Sequence, residues 1–107
     1  MPSRTYTLFR NAILAEQQVT CAYEGRYREL CPHIIGTDKS GGEAVLAWQF
    51  AGESRGPLPQ WRCLKLVNVS DAQARHGRWH EGGSHRTTQS CVKNIDLDIN
   101  VHVRKLR

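Results

Sequence analysis

The stretch from Val19 to Val69 constrains this chain most, because it consists of four short apolar runs cut by three turns. Val19, Cys21 and Tyr23 alternate with Thr20, Ala22 and Glu24, and the run stops at Gly25. A basic segment follows from Arg26 to Gly36, then the polar, glycine-bearing turn Thr37-Asp38-Lys39-Ser40-Gly41-Gly42. Ala44-Val45-Leu46-Ala47-Trp48-Gln49-Phe50 is the third run. A Gly/Ser/Pro loop from Ala51 to Pro59 leads into the fourth, Gln60 to Val67. Apolar runs of this length and spacing predict an antiparallel meander or a small barrel. Pro32 has no N–H to give a ladder, so the second run is expected at an edge or bulged there.

The flanks are read by the same rules. A helix is predicted over about 6–17, with Leu8, Ala12 and Ala15 on one stripe, Phe9 and Ile13 beside it, and Thr5 or Thr7 as cap. It is too short to stand alone and must dock on the sheet. Ser70-Asp71-Ala72-Gln73 reads as a capped helical turn ending before Gly77. A mobile basic loop is expected over about 71–90, and its aperiodic part, 75–89, is expected to order only with a partner. Over 92–104 the alternation of Ile95, Leu97, Ile99, Val101 and Val103 with polar residues predicts a closing strand with those five side chains inward.

At 107 residues, 1–107 is expected to be a single domain with a thin core. No apolar run approaches the length of a membrane span, and no apolar stretch follows Met1-Pro2-Ser3-Arg4 as in an export signal. A cytoplasmic protein without membrane contact is expected. On that reading Cys21, Cys31, Cys63 and Cys91 are reduced, buried thiols. Fifteen Lys and Arg stand against ten Asp and Glu, for a net charge of +5, and arginine dominates. Its planar fork favours phosphate or carboxylate partners, although a basic solvated surface would also account for the charge.

The strands carry Tyr23, Arg26, Arg28, His33, Trp48, Trp61 and Arg62. Arg26 and Arg28 share a strand parity and therefore a face. Arginine beside aromatic rings suits a phosphate and a flat base, the first bound by charge and the second by stacking. The competing reading makes Tyr23, Trp48 and Trp61 core, with the arginines braced by acids such as Glu29 and Glu43. His76, His80 and His85, followed by Cys91, lack the paired short spacing of a zinc site, so no metal is expected. No nucleophile elbow, phosphate-binding glycine loop or metalloprotease helix motif is present. An enzyme is not expected, and a cofactor is not either.

The ordered series Tyr23-x-Gly25-x-x-Arg28-x-x-x-Pro32-His33-x-x-Gly36, a glycine turn, Leu46-Ala47-Trp48-Gln49, and Leu58-Pro59-x-Trp61-Arg62-x-Leu64 resembles the WYL domain, in particular its short stand-alone bacterial form. The likeness covers about residues 8 to 70, although the namesake Trp-Tyr-Leu triplet is absent. It implies an Sm-like (Src-homology-3-like) small β-barrel of about five strands with one N-terminal helix. It also implies a non-catalytic ligand-binding module in bacterial transcription control or phage defence. The family's basic positions fall here on Arg28 and Arg62, and its first-strand aromatic on Tyr23. The candidate ligand-binding residues are thus Tyr23, Arg26, Arg28, His33, Trp48 and Arg62, and the expected partner is a nucleic acid or nucleotide. A protein-assembly module using the sheet edge, with a homodimer as one form, is the rival reading. A small metal-dependent nuclease is the third.

Overall fold

The structure, a computed structural model, describes residues 2–54, 56–82 and 89–103. Helix α1 (Arg4–Ala15) is followed by β1 (Gln18–Tyr23), β2 (Arg26–Thr37), β3 (Glu43–Gly52) and β4 (Gln60–Lys65). A 3-10 turn (Leu66–Asn68) leads to β5 (Val69–Arg75), then come β6 (Asn94–Asp98) and a π-helical turn (Ile99–Val103). All strand pairs are antiparallel, in the order β4-β3-β2-β1-β5, with β6 also on β2. The fold is mainly β with one N-terminal helix. The sheet has six strands and is open: among the described residues β4 and β5 are its edges and do not pair with each other.

Local chemistry sets the joints. Glu24 and Gly25, at φ 51° and 81°, form the two-residue turn between β1 and β2, the left-handed pair that matches strand twist. The Asp38 carboxylate accepts from the backbone N–H of Ser40 and Gly42 at 2.9 and 3.0 Å, which closes the β2–β3 turn and holds its pKa below the usual carboxylate value. Ser3 caps α1, its Oγ accepting from Tyr6 N at 3.1 Å, and Glu43 in turn grips Ser3. The helix therefore starts earlier than expected, and it buries Tyr6, Phe9, Ala12 and Ile13 while Ala15 is exposed.

Strand β2 is the spine. Arg26–Leu30 pairs with β1 and Ile34–Thr37 with β6 along one edge, while β3 runs along the other. Pro32 falls between those two partners and beside a register shift against β3, so the expected bulge is present within a central strand rather than an edge one. One face of the sheet carries the main core. Val19, Leu30, Ile35, Val45, Ala47 and Leu64 pack there with α1, Leu97 and Ile99. The opposite face holds a smaller cluster of Ile34, Ala44, Leu46 and Val92, against which Trp61 and Cys91 pack.

Three expectations for the second half of the chain are corrected. Residues 70–73 lie in β5, not in a helical turn. Two residues, Asp71 and Ala72, oppose Cys21 there, with Asp71 at φ 53°, so its short side chain serves a bulge rather than a cap. The free edge of β1 offers a ladder, and Val69 and Ala72 reach the core, which outweighs the local cap signal. The expected loop over 71–90 is thus partly strand. Residues 76–82 lack regular structure but lie against the sheet, Gln18 Nε2 donating to Arg78 O at 2.6 Å. The part of that loop over 83–88 lies outside the described residues.

The closing strand is shorter than its alternation suggests. It ends at Asp98, and Leu97 and Ile99 are buried while Ile95 and Val101 are 46% and 52% exposed. The β2–β6 register shifts between the Ile35–Leu97 and Gly36–Ile95 pairs, which breaks the period-two rule at Asp96. A Cβ at Gly36 would lie 1.9 Å from Asn94 O, so β6 can approach only because glycine stands there. The expected end of that strand, at 104, lies outside the described residues.

The cysteines divide into two kinds. Cys63 and Cys91 form a disulfide, which corrects the expectation of four thiols. They lie 28 residues apart and meet because the segment before β6 folds back onto β4. Cys21 and Cys31 are free and buried, and burial pushes both thiols up to about 11. They are expected to resist alkylation in the native protein at pH 8 and to react as two thiols once it is denatured. Because the folded values are raised, the stability these thiols contribute is present below about pH 9 and lost as pH climbs towards 11. Urea melts at pH 8 and 10 check the sign, and a protein more stable at pH 10 would contradict it.

Candidate anion-binding site

At one end of the main-core face the apolar residues give way to polar ones. Val45, Ala47 and Gln49 share the inward parity of β3, and Gln49 is fully buried. Its side-chain Oε1 accepts from Arg28 Nη1 at 2.9 Å and from Arg62 Nε at 3.1 Å. Its Nε2 donates to the carbonyls of Ala51 and Glu53 at 3.1 and 2.9 Å, which fixes the amide's orientation. Two guanidinium groups from β2 and β4 therefore converge on one neutral oxygen.

The surroundings hold this geometry. Arg28 lies opposite Cys21 on β1 and Gly52 on β3, its Cζ 5.5 Å from the Tyr23 ring centre. A Cβ at Gly52 would come within 2.6 Å of Tyr27 O and 2.9 Å of Arg28 Cα, so glycine is what lets β3 close on Arg28 and turn away. That turn brings Ser54 to Arg62, whose Nη2 donates to the serine Oγ. Tyr23 is anchored through its hydroxyl, which accepts from Lys65 N at 3.2 Å. Arg26 lies opposite Tyr23 and shares this face.

Charge makes the cluster unusual. Arg28 is only 7% exposed, and its Nε is buried with no hydrogen-bond partner among the described residues. Among the described residues neither Arg28 nor Arg62 pairs with a carboxylate; the two ion pairs are Arg10–Asp96 and Arg75–Glu29. Glu29 and Glu43, the acids expected to brace these arginines, are engaged with Arg75 and Ser3 instead. Burial, and after it repulsion from Arg28, holds the Arg62 guanidinium below its ordinary pKa. Two partly desolvated like charges without a counter-ion favour an incoming anion.

No family model, no curated protein and no solved structure matches this chain.

Of the predicted site residues, Tyr23, Arg26, Arg28 and Arg62 come together, whereas His33 and Trp48 do not join them. Trp48 pairs with Trp61 and Cys31, positions of the opposite parity to Gln49, and so faces the other side of the sheet. His33 is two residues from Cys31, the partner of Trp48, so alternation along β2 places it on that side too, five residues and an odd step from Arg28. Its Nδ1 lies 2.8 Å from Cys31 O, and its ring packs against Trp61 and Trp79 at 4.8 and 5.0 Å. Trp48 meets Trp61 edge-on at 5.1 Å, Phe50 stacks on His80, and Gly82 lies where a Cβ would strike both tryptophans. This aromatic face is covered by residues 79–82.

Gln49 and Ser54 are the members sequence reasoning missed. A glutamine on the inward parity of an apolar strand was the available signal; nothing comparable marked Ser54. His76 and His80 are engaged apart from each other, with Gln17 and Phe50, and Cys91 is oxidised, so these three form no metal site. Among the described residues no group of three metal-binding side chains occurs, and His85 lies outside them.

Proposed function

We propose that this protein is a non-catalytic module that binds a phosphate-bearing ligand, a nucleotide or nucleic acid, through Arg28 and Arg62. The observation that carries the reading is the pair of guanidiniums held by one neutral glutamine, with Arg28 Nε buried and without a partner among the described residues. A brace serving stability alone would pair these charges with acid, since an uncompensated buried charge is costly. The WYL resemblance puts the family's basic positions on the same two residues. The Sm-like barrel reading is supported by the strand order, in which the two edge strands β4 and β5 are consecutive in the chain, joined only by the 3-10 turn of Leu66–Asn68. In that reading the protein works in bacterial transcription control or phage defence.

The test is a melt in phosphate against chloride at equal ionic strength. An anion that binds only the folded protein raises its melting temperature. Phosphate is expected to raise it for the parent and not for Arg62→Ala. Arg62 is partly exposed, so its removal leaves the fold intact and weakens oligonucleotide binding by about 1–3 kcal/mol in an anisotropy titration. If Arg62→Ala instead melts lower and binds as before, the arginines are a brace and the reading fails.

A further inference from the structure

The charge and enclosure of the cluster indicate which phosphate it takes. We propose that the Arg28–Arg62 site binds a terminal phosphate dianion, the monoester at the end of a nucleotide or a nucleic-acid strand, in preference to the phosphodiesters within a strand. This rests on the anion-site reading above and narrows it. Two cationic groups share one neutral acceptor, so a monoanion leaves one positive charge uncompensated while a dianion matches both. A terminal phosphate carries close to two charges at neutral pH, a phosphodiester only one.

Hydrogen bonding and shape point the same way. Arg28 uses Nη1 on Gln49 and leaves Nε, part of the fork edge that grips an oxyanion, buried and without a partner among the described residues. Arg62 uses Nε on Gln49 and Nη2 on Ser54. A monoester offers three terminal oxygens to these donors and a diester two. Gln49 is fully buried and Arg28 nearly so, whereas Arg62, Ser54 and Tyr23 keep part of their surface. In this proposal the phosphate enters on that partly exposed side, where a slim chain end is hindered less than a phosphate with a sugar on both sides. The charged and titratable groups nearest the site are Cys21 and Tyr23 from β1, Arg26 and Arg28 from β2, Glu53 after β3, whose carboxylate accepts from Tyr27 N, and Arg62 from β4; no histidine is among these described residues. The dependence on pH near 6 is then the ligand's own.

The experiment compares 3′-labelled oligothymidylates that differ only in a 5′-phosphate or a 5′-hydroxyl. At pH 7.5 the phosphorylated strand is expected to bind about tenfold more tightly, the effect of one further charge-assisted contact. The advantage should shrink as pH falls below about 6, where the terminal phosphate dianion takes up a proton and becomes a monoanion. Gln49→Glu places a carboxylate between the guanidiniums and should abolish the preference; circular dichroism and a thermal melt check that the variant folds. Should that variant not fold, Arg62→Gln, at a partly exposed position, carries the same expectation. Equal affinity for the two strands, alongside a phosphate-dependent melt, overturns the terminal-phosphate inference and leaves the anion site standing. Binding of neither strand, with no effect of phosphate on the melt, overturns both.

Discussion

Ile99→Asp is expected to destabilise the protein by about 4 kcal/mol or more, enough to unfold much of a small domain at room temperature. Ile99 has no exposure and sits in the turn after β6, in one apolar cluster with Phe9 and Ile13 of α1 and Ile35 of β2. An aspartate there is a buried charge in apolar surroundings with no counter-ion. Protonation relieves the charge but leaves a hydroxyl among methyl groups. Ile95→Asp, four residues earlier on the same apparent period, is expected to change stability by no more than about 0.5 kcal/mol, since Ile95 is half exposed. Urea melts of the two variants give a clean contrast. If Ile99→Asp melts like the parent, the C-terminal turn is not part of the core. If Ile95→Asp is equally damaging, β6 faces as the alternation reads and not as the register shift places it.

That contrast shows where sequence reasoning succeeds and where it stops. The four runs between Val19 and Val69 become β1 to β4 because each is bounded by a residue with a local reason to turn, Gly25 and Asp38 being the clearest. Parity within one unbroken run also survives: Arg26 and Arg28 share a face, and Tyr23 joins them through the hairpin register. Parity carried across a bulge does not: Ile34 shares the parity of Arg28, yet the shift beside Pro32 sets it opposite Leu46 on the far face. His33 and Trp48 were grouped with the arginines by residue type, but alternation along β2 and β3 turns both to the far side. Nothing in a single strand's sequence announces a partner's register. The same holds for β5, whose cap-like Ser70 and Asp71 describe a helix start equally well until the open edge of β1 is known. The disulfide was least legible, because its cysteines are brought together by the return of residues 90–92 over β4, a long-range event with no local signature.

The disulfide carries the second large effect. Converting both Cys63 and Cys91 to Ser, or reducing the bond with excess dithiol, is expected to lower stability by about 3–4 kcal/mol, the loop-closure entropy for a cross-link spanning 28 residues. For a chain of this size that shifts the melting temperature by well over 10 °C. The loss should be local in character. The bond ties β4 to the segment before β6 over the Ala44–Leu46–Val92 cluster, next to Trp61, so tryptophan fluorescence should move towards the solvent-exposed wavelength on reduction. The Arg28–Gln49–Arg62 cluster lies on the other face of the sheet and is held by strands β2, β3 and β4, whose ladders do not include Cys91. The rise in melting temperature produced by phosphate is therefore expected to persist in the Cys63→Ser/Cys91→Ser variant, added to a lower baseline. An unchanged melt on reduction would mean that the bond contributes nothing to the fold. Loss of the phosphate effect together with the bond would mean that the two faces are coupled through β4, and that the anion site depends on the cover over the tryptophans.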